Sequence, residues 1–352
     1  MDVGIFSELQ CASDLAITTA YRQIIDQAEL ADQIGFRSMW LAELHFTRAF
    51  SVMPAPQLVA AAIAARTRRL RLGIGVYILP VHHPLRLAEE AAALDILSEG
   101  RLEFGAGRGH PFTRVYEGFG VPADQSRERF DECLEIVRRA WTEPRLSFKG
   151  KFHSFENVEL VPKPVQKPYP PIHVGAVSPP SFISAGEQGF NVMCPAQVVP
   201  VPAIKEMIAS YRDAARRAGH PQSSLRVSLL LPVFVARTRA EAEEIPRHGI
   251  MSYYEATGRL MQELLRERGL SDQFTVYNRV NEFMGSLTYE GVLRNHAVFG
   301  EPEAVRDRLI EMRDELGLDE VLAWIDIGGI DHEAVTTSMK LMADKVLPHL
   351  SR

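Results

Sequence analysis

The chain has 352 residues, 46% hydrophobic and 24% charged, with a formal net charge of -6. This balance suits a soluble globular protein whose core needs no disulfide or metal, and the acidic surplus argues against nucleic acid, which demands clustered Lys and Arg. Cys11, Cys133 and Cys194 are scattered without CxxC or Cys/His spacing, which excludes a disulfide framework or metal site and leaves a reducing, cytoplasmic setting as the expectation. The start, MDVGIFSEL, lacks the regions of a signal peptide, and no apolar run has membrane-spanning length.

Strand-like and helix-like segments then alternate. Val3 to Phe6 reads as a buried strand, and Tyr21, Ile24, Ile25, Ala28, Ala31 and Ile34 recur at helical spacing before Gly35 ends the run. Ser38 to Ala42 is the next strand, Pro56 to Thr67 an Ala-rich helix, and Leu70 to Leu79 a third strand. A helix over Pro84 to Leu97 closes at Gly100, and a fourth strand spans Arg101 to Phe104. Phe130, Leu134, Val137 and Trp141 mark another helix.

The stretch 142–171 is rich in Pro, Lys and aromatics and predicts a surface excursion with a small hairpin around Lys149 to Phe155. The alternation resumes with a strand at Pro171 to Val174, a helix over Ser181 to Gln188 and a strand at Asn191 to Cys194. A helix at Ile204 to Ala218 precedes a long strand at Leu225 to Ala236. Residues 241–295 read as mostly helical, a candidate lid that includes Tyr253, Tyr254, Tyr277 and Phe283. One more amphipathic helix, a last strand at Glu320 to Ile327 and a closing helix complete the chain. Eight strands, most followed by a helix, predict a single α/β domain over 1–352, a TIM-like (β/α)8 barrel. Both excursions are expected among the loops after strands, on the face where barrels carry their sites.

Four motifs fall on that face. FGAGRGHPF follows the fourth strand with G-x-G-x-G spacing; His110-Pro111 disfavours an immediate helix, so a dinucleotide fingerprint is a poor fit. Arg108 on a glycine-rich loop suits a bidentate grip on a phosphate. Glu43 and His45 end the second strand two residues apart, pointing the same way as an acid and an imidazole for proton handling. Gly73 and Gly75 inside the third strand signal a bulge or a flat ligand against the backbone, with His82 and His83 beyond it unsuited to metal binding. Val177, Ser178 and Ser181 stand where a helix begins, either as an anion site built from free N–H groups or as ordinary N-capping.

Strung together, MDVGIFSEL, AELADQIGFRSMWLAELHF, LRLGIGVYILPVHHPLRLAEEAAALDILSEGRLEFGAGRG, RERFDECLEIVRRAW, PIHVGAVSPPS and VFGEPEAVRDRL…DIGG resemble the bacterial luciferase-like flavin-dependent monooxygenases over nearly the whole chain. The resemblance implies a barrel that binds reduced FMN supplied by a separate flavin reductase. Molecular oxygen would add at flavin C4a, and the peroxide would oxidise a small organic substrate. It implies cofactor-binding roles for Arg108, Val177, Ser178 and Ser181 at the phosphate, and for Gly75 and Val76, joined by a non-proline cis peptide, under the flavin ring. It also implies a homodimer.

One departure concerns the proton-handling group. Aldehyde-oxidising members carry Glu-His-His-Phe after the second strand, whereas this chain has Glu43-Leu44-His45-Phe46. The catalytic candidates are therefore Glu43, His45, His82 and His110. Glycine at 107 replaces the reactive cysteine of light-emitting members, which disfavours light emission from a long-chain aldehyde. Two other readings stand beside the monooxygenase: a deazaflavin-dependent hydride-transferring oxidoreductase on the same barrel, and a non-catalytic flavin-binding relative.

Overall fold

The computed structural model describes residues 1–11, 15–109, 114–268 and 287–350. Its strands are β1 (Asp2–Ser7), β2 (Ser38–Leu41), β3 (Arg71–Ile78), β4 (Leu102–Gly107), β5 (Leu146–Lys149) and β6 (Ser154–Val158). They continue with β7 (Ile172–Gly175), β8 (Asn191–Pro195), β9 (Val227–Val235), β10 (Val298–Gly300) and β11 (Glu320–Trp324). Eight of them close a parallel ring in the order β1-β2-β3-β4-β7-β8-β9-β11, with β11 returning to β1. These are the eight strands expected from the sequence. β10 is additional: three residues lengthen the sheet beside the end of β9, too short a run to show alternation.

The helices are α1 (Ile17–Ile34), α2 (Pro56–Arg66), α3 (Pro84–Leu97), α4 (Val115–Gly118), α5 (Ser126–Thr142) and α6 (Pro179–Gln188). After them come α7 (Val201–Arg217), α8 (Arg239–Glu244), α9 (Arg247–Arg268), α10 (Tyr289–Asn295), α11 (Pro302–Leu316) and α12 (His332–Lys345). Proline in the first turn starts several of them, where its missing N–H costs nothing. Gly35 ends α1 at φ 98°, in the left-handed region that glycine tolerates best.

Successive strand residues point to opposite faces, so each strand serves two cores. Ile5, Met39, Leu41, Ile74, Phe104, Val174 and Val192 face outward into the main core beneath the helices. Phe6, Trp40, Met193, Leu230, Leu322 and Trp324 face inward and build a second apolar cluster inside the barrel. Below it, toward the strand N-termini, the inward positions turn polar. Ser38 donates to Glu320 at 2.5 Å, and His173 Nε2 donates to Glu103 at 2.8 Å. Arg71 also pairs with Glu103. Burial alone would raise the Glu103 pKa, but His173 and Arg71 outweigh it and hold the carboxylate well below its ordinary range.

The excursion 241–295 follows β9, as expected, and α9 lies over the mouth of the barrel, adding Ile250, Tyr253, Tyr254 and Met261 to the inner cluster. Tyr277 and Phe283 lie outside the described residues. The other excursion, 142–171, follows helix α5 and not a strand, so it leaves from the opposite face. Its β5–β6 hairpin is the expected one, and the tip folds back along α5. Glu132 accepts backbone N–H bonds from Lys151 at 2.7 Å, Phe152 at 3.0 Å and His153 at 2.7 Å.

Breaking the inner pair should be costly. His173→Ala leaves Glu103 buried with one partner fewer, and a loss of about 3 kcal/mol is expected in urea unfolding. Because the folded-state pKa of Glu103 is depressed, its contribution is complete above the unfolded value of 4.5 and is lost as pH falls below it. Glu103→Gln should abolish that part of the acid dependence in a series of melts between pH 5 and 2.

Candidate active site

The site grows from the ends of β2 and β3. The Glu43 carboxylate is 4% exposed and gathers three donors. His45 Nε2 reaches Oε1 at 2.8 Å, His82 Nε2 reaches the two oxygens at 2.9 and 3.0 Å, and the Ile78 N–H reaches Oε2 at 3.0 Å. A carboxylate only accepts, so both imidazoles carry their proton on Nε2. Burial pushes the Glu43 pKa up, yet the hydrogen bonds from His45 and His82 prevail and hold it below the ordinary value. For His82 burial works downward, but the bond to Glu43 and its charge carry the pKa above the usual histidine value.

Three of the four proposed catalytic residues, Glu43, His45 and His82, are thus brought into contact; His110 lies outside the described residues. His83 turns away, its ring 5.6 Å from His153 and 5.8 Å from Phe155 of the hairpin. Leu44 is buried in the inner apolar cluster beside the mouth, so it serves packing. His45 is ringed by Phe119 at 4.9 Å and Phe46 at 5.6 Å. Phe46 is 61% exposed and forms an apolar rim.

Next to this group β3, β4 and β7 carry glycines, and the Val76 side chain fills the room they leave. The Gly75-Val76 peptide is cis, as the resemblance implied. A Cβ on Gly105 would lie 1.9 Å from the Ile74 carbonyl oxygen, and one on Gly107 would lie 2.2 Å from Val76 Cγ2. A Cβ on Gly175 would sit 3.3 Å from Val76 Cγ1. Gly105, Gly107 and Gly175 thus leave the room that the Val76 side chain fills, while Gly75 backs onto Phe6, Trp40 and Met193, and the Gly75-Val76 segment forms the surface of this wall.

Arg108 stands exposed at the end of β4. The neighbouring strand β7 leads to Val177, 56% exposed, and to Ser178 and Ser181 at the start of α6. The four residues therefore rim one side of the wall. Of the two readings of this helix start, free N–H groups or N-capping, the structure shows the capping. Pro179 and Pro180 occupy the first two helical positions and have no N–H. Ser178 and Ser181 form a capping box instead, with the Ser178 N–H donating to Ser181 Oγ at 3.2 Å and Ser181 Oγ donating to the Ser178 carbonyl at 2.7 Å. The start of α6 therefore offers an anion hydroxyl groups more than helix amides.

Sequence reasoning missed the polar residues across the mouth. Glu8, at the end of β1, and Asp326, just beyond β11, were legible as acids ending barrel strands, but nothing local marks them as facing one another. Among the described residues no cluster of His, Cys, Asp and Glu could hold a metal, and no helix is long and apolar enough to cross a membrane. Glu43→Gln should let His82 titrate at or below 6.5, against above it in the native protein, which histidine Cε1–H NMR titration would show.

The chain is similar to known proteins over its whole length. The oxygenase component of the flavin-dependent trigonelline monooxygenase of Acinetobacter baylyi is 28% identical over 359 aligned residues, covering 100% of this chain and 96% of its own. The monooxygenase RslO1 from Streptomyces bottropensis superposes with a TM-score of 0.84 at 29% identity, with both chains fully covered. The oxygenating constituent of 3,6-diketocamphane monooxygenase from Pseudomonas putida, solved in complex with FMN, shares the fold at a TM-score of 0.81 and 22% identity, covering 100% of this chain and 99% of its own. A family model described as luciferase-like monooxygenase matches residues 1–320, and the chain belongs to that family.

Proposed function

We propose that the protein is the oxygenase of a two-component system, using reduced FMN delivered by a separate reductase to insert one atom of O2 into a small organic substrate. The observation that carries this reading is the glycine-backed wall beside Arg108. The Gly75-Val76 segment, seated against Gly105, Gly107 and Gly175, is the low part of the wall against which an isoalloxazine ring would lie. Arg108, Val177, Ser178 and Ser181 at its rim have the chemistry for a phosphate. When bound, reduced FMN supplies two electrons to O2, so that one oxygen atom passes to substrate and the other leaves as water.

The chain's own groups do the rest. Glu43 fixes the rings of His45 and His82 with both Nε2 protons in place. His45 borders the mouth and moves a proton to or from the reacting group, while His82, held more basic by Glu43, keeps its own proton to higher pH. α9 and the inner apolar cluster cover the opening and keep water from it. Leu44, packed among apolar residues, takes no part in the proton transfer.

Arg108→Ala should weaken FMN binding by about 2 kcal/mol, roughly 30-fold, as read by fluorescence titration. Candidate substrates mixed with the protein and photoreduced FMN should consume oxygen and carry one 18O from 18O2. Turnover under argon with a reduced deazaflavin would assign the protein to hydride transfer instead. Flavin binding without any substrate-dependent oxygen consumption would mark a non-catalytic relative.

A further inference from the structure

β4 ends at Gly107, whose ladder partner is Ile78 at the end of β3. Arg108 comes next, so its peptide groups have left the sheet while its side chain stands exposed. By itself such a position leaves the backbone free to swing, and a swinging arginine loses conformational freedom each time it closes on an anion. Here the chain is caught on both sides of the 108–109 peptide. The Arg108 carbonyl accepts a hydrogen bond from the Tyr116 hydroxyl, eight positions on in α4. Gly109 follows at φ 72°, in the left-handed region, and lies close on the Ile78 side chain; a Cβ there would sit 3.0 Å from Ile78 Cδ1.

Tyr116 is itself fixed. It is 5% exposed, in a small apolar cluster with Ile78 and Val115, against which Val81, Val121 and Ala123 pack. α4 is only four residues long, too short to hold its own shape, so the cluster holds it. Ile78 also belongs to the candidate site, because its N–H donates to Glu43 Oε2 at 3.0 Å. One apolar cluster thus backs both the Glu43 group and Arg108. For that packing the ring of Tyr116 suffices, and phenylalanine would serve as well. The hydroxyl is what reaches the Arg108 carbonyl, one residue beyond the point where the β4 ladder stops.

We infer that Tyr116 is a positioning residue for Arg108: it touches no ligand and holds the 108–109 peptide so that the guanidinium is already aimed when a phosphate arrives. The inference rests on the flavin reading above, in which that phosphate belongs to FMN. The hydrogen bond fixes the carbonyl, and the left-handed Gly109 against Ile78 fixes the direction in which the chain leaves. Arg108 then has only its side-chain rotations to lose on binding. The effect is confined to the part of the ligand that Arg108 grips and leaves the flavin ring untouched.

The test compares FMN with riboflavin, which carries the same ring without the phosphate. Tyr116→Phe keeps the aromatic ring in its cluster, and thermal melts confirm the fold. In fluorescence titrations of the full chain the variant should bind FMN about fivefold more weakly than the native protein, the scale of one lost hydrogen bond, and riboflavin equally well. In an Arg108→Ala background the same change should alter FMN binding by less than about twofold, because the group it aims is gone. Equal weakening of FMN and riboflavin would reduce Tyr116 to packing and overturn the inference. Unchanged FMN binding, or the full loss in the Arg108→Ala background, would overturn it as well. A readout without flavin separates this inference from the one it rests on. In the flavin-free protein, 15N relaxation should show the Gly109 amide as ordered as those of β4, and clearly more mobile in Tyr116→Phe. A native protein that binds no FMN, while Gly109 loosens in the variant, sinks the flavin reading and leaves the hold of Tyr116 on Arg108 standing. FMN binding that the variant does not weaken, with Gly109 unmoved, sinks this inference alone.

Discussion

A closed ring of eight strands has to fill its own interior, and here it does so unevenly. β1, β2 and β11 send Phe6, Trp40, Leu322 and Trp324 inward, while β3, β4 and β7 send glycine. Trp40 shows the trade directly: a Cβ on Gly73, its partner across the β2–β3 ladder, would lie 2.1 Å from the indole. Bulk on one side keeps the barrel packed and dry, and its absence on the other leaves a surface to which a planar ligand can be fitted. Glu43, His45, His82 and Arg108 stand at the ends of β2, β3 and β4, on this side of the ring.

Glu43 plays the corresponding part in the electrostatics. One buried carboxylate ties the end of β2 to the end of β3 through His45, His82 and the Ile78 amide. An isolated charge there would be expensive to bury, and the three donors offset that cost. The same bonds orient two imidazoles, so local stability and chemistry rest on a single group. The polar layer lower in the barrel, with Glu103 held by His173 and Arg71, repeats the device at a point far from the mouth.

Much of this was legible in the sequence because barrel strands announce themselves twice, by apolar alternation and by the helix that follows. All eight ring strands were read as apolar runs, most of them followed by a helix, and the pairing of Glu43 with His45 was read from their spacing, since two residues apart in extended backbone means the same side. The cis peptide at Gly75-Val76 came from resemblance alone. Other features depend on closure and cannot be seen locally. That His82 reaches Glu43, 39 positions away, follows from the β2–β3 register. That Glu8 meets Asp326 follows from the last strand pairing with the first. The hairpin was foreseen but not its origin, because composition marks an excursion without saying which end of the barrel it leaves. The start of α6 was left open between an anion site and N-capping by its serines, and the two prolines between them, which remove the amides, favour the capping.

Those prolines bear on how long a cofactor stays. A phosphate cradle of free amides stands ready before its ligand arrives, and nothing has to be undone on binding. At α6 the hydroxyl groups of Ser178 and Ser181 are already engaged with each other and with the backbone, 2.7 to 3.2 Å apart. An arriving phosphate has to exchange for those bonds, and a departing one finds them ready to re-form. The competition trims the net affinity of an anion there and eases its departure. A rim of this kind treats its guest as a courier that comes and goes, in contrast to a prosthetic group held for the life of the protein.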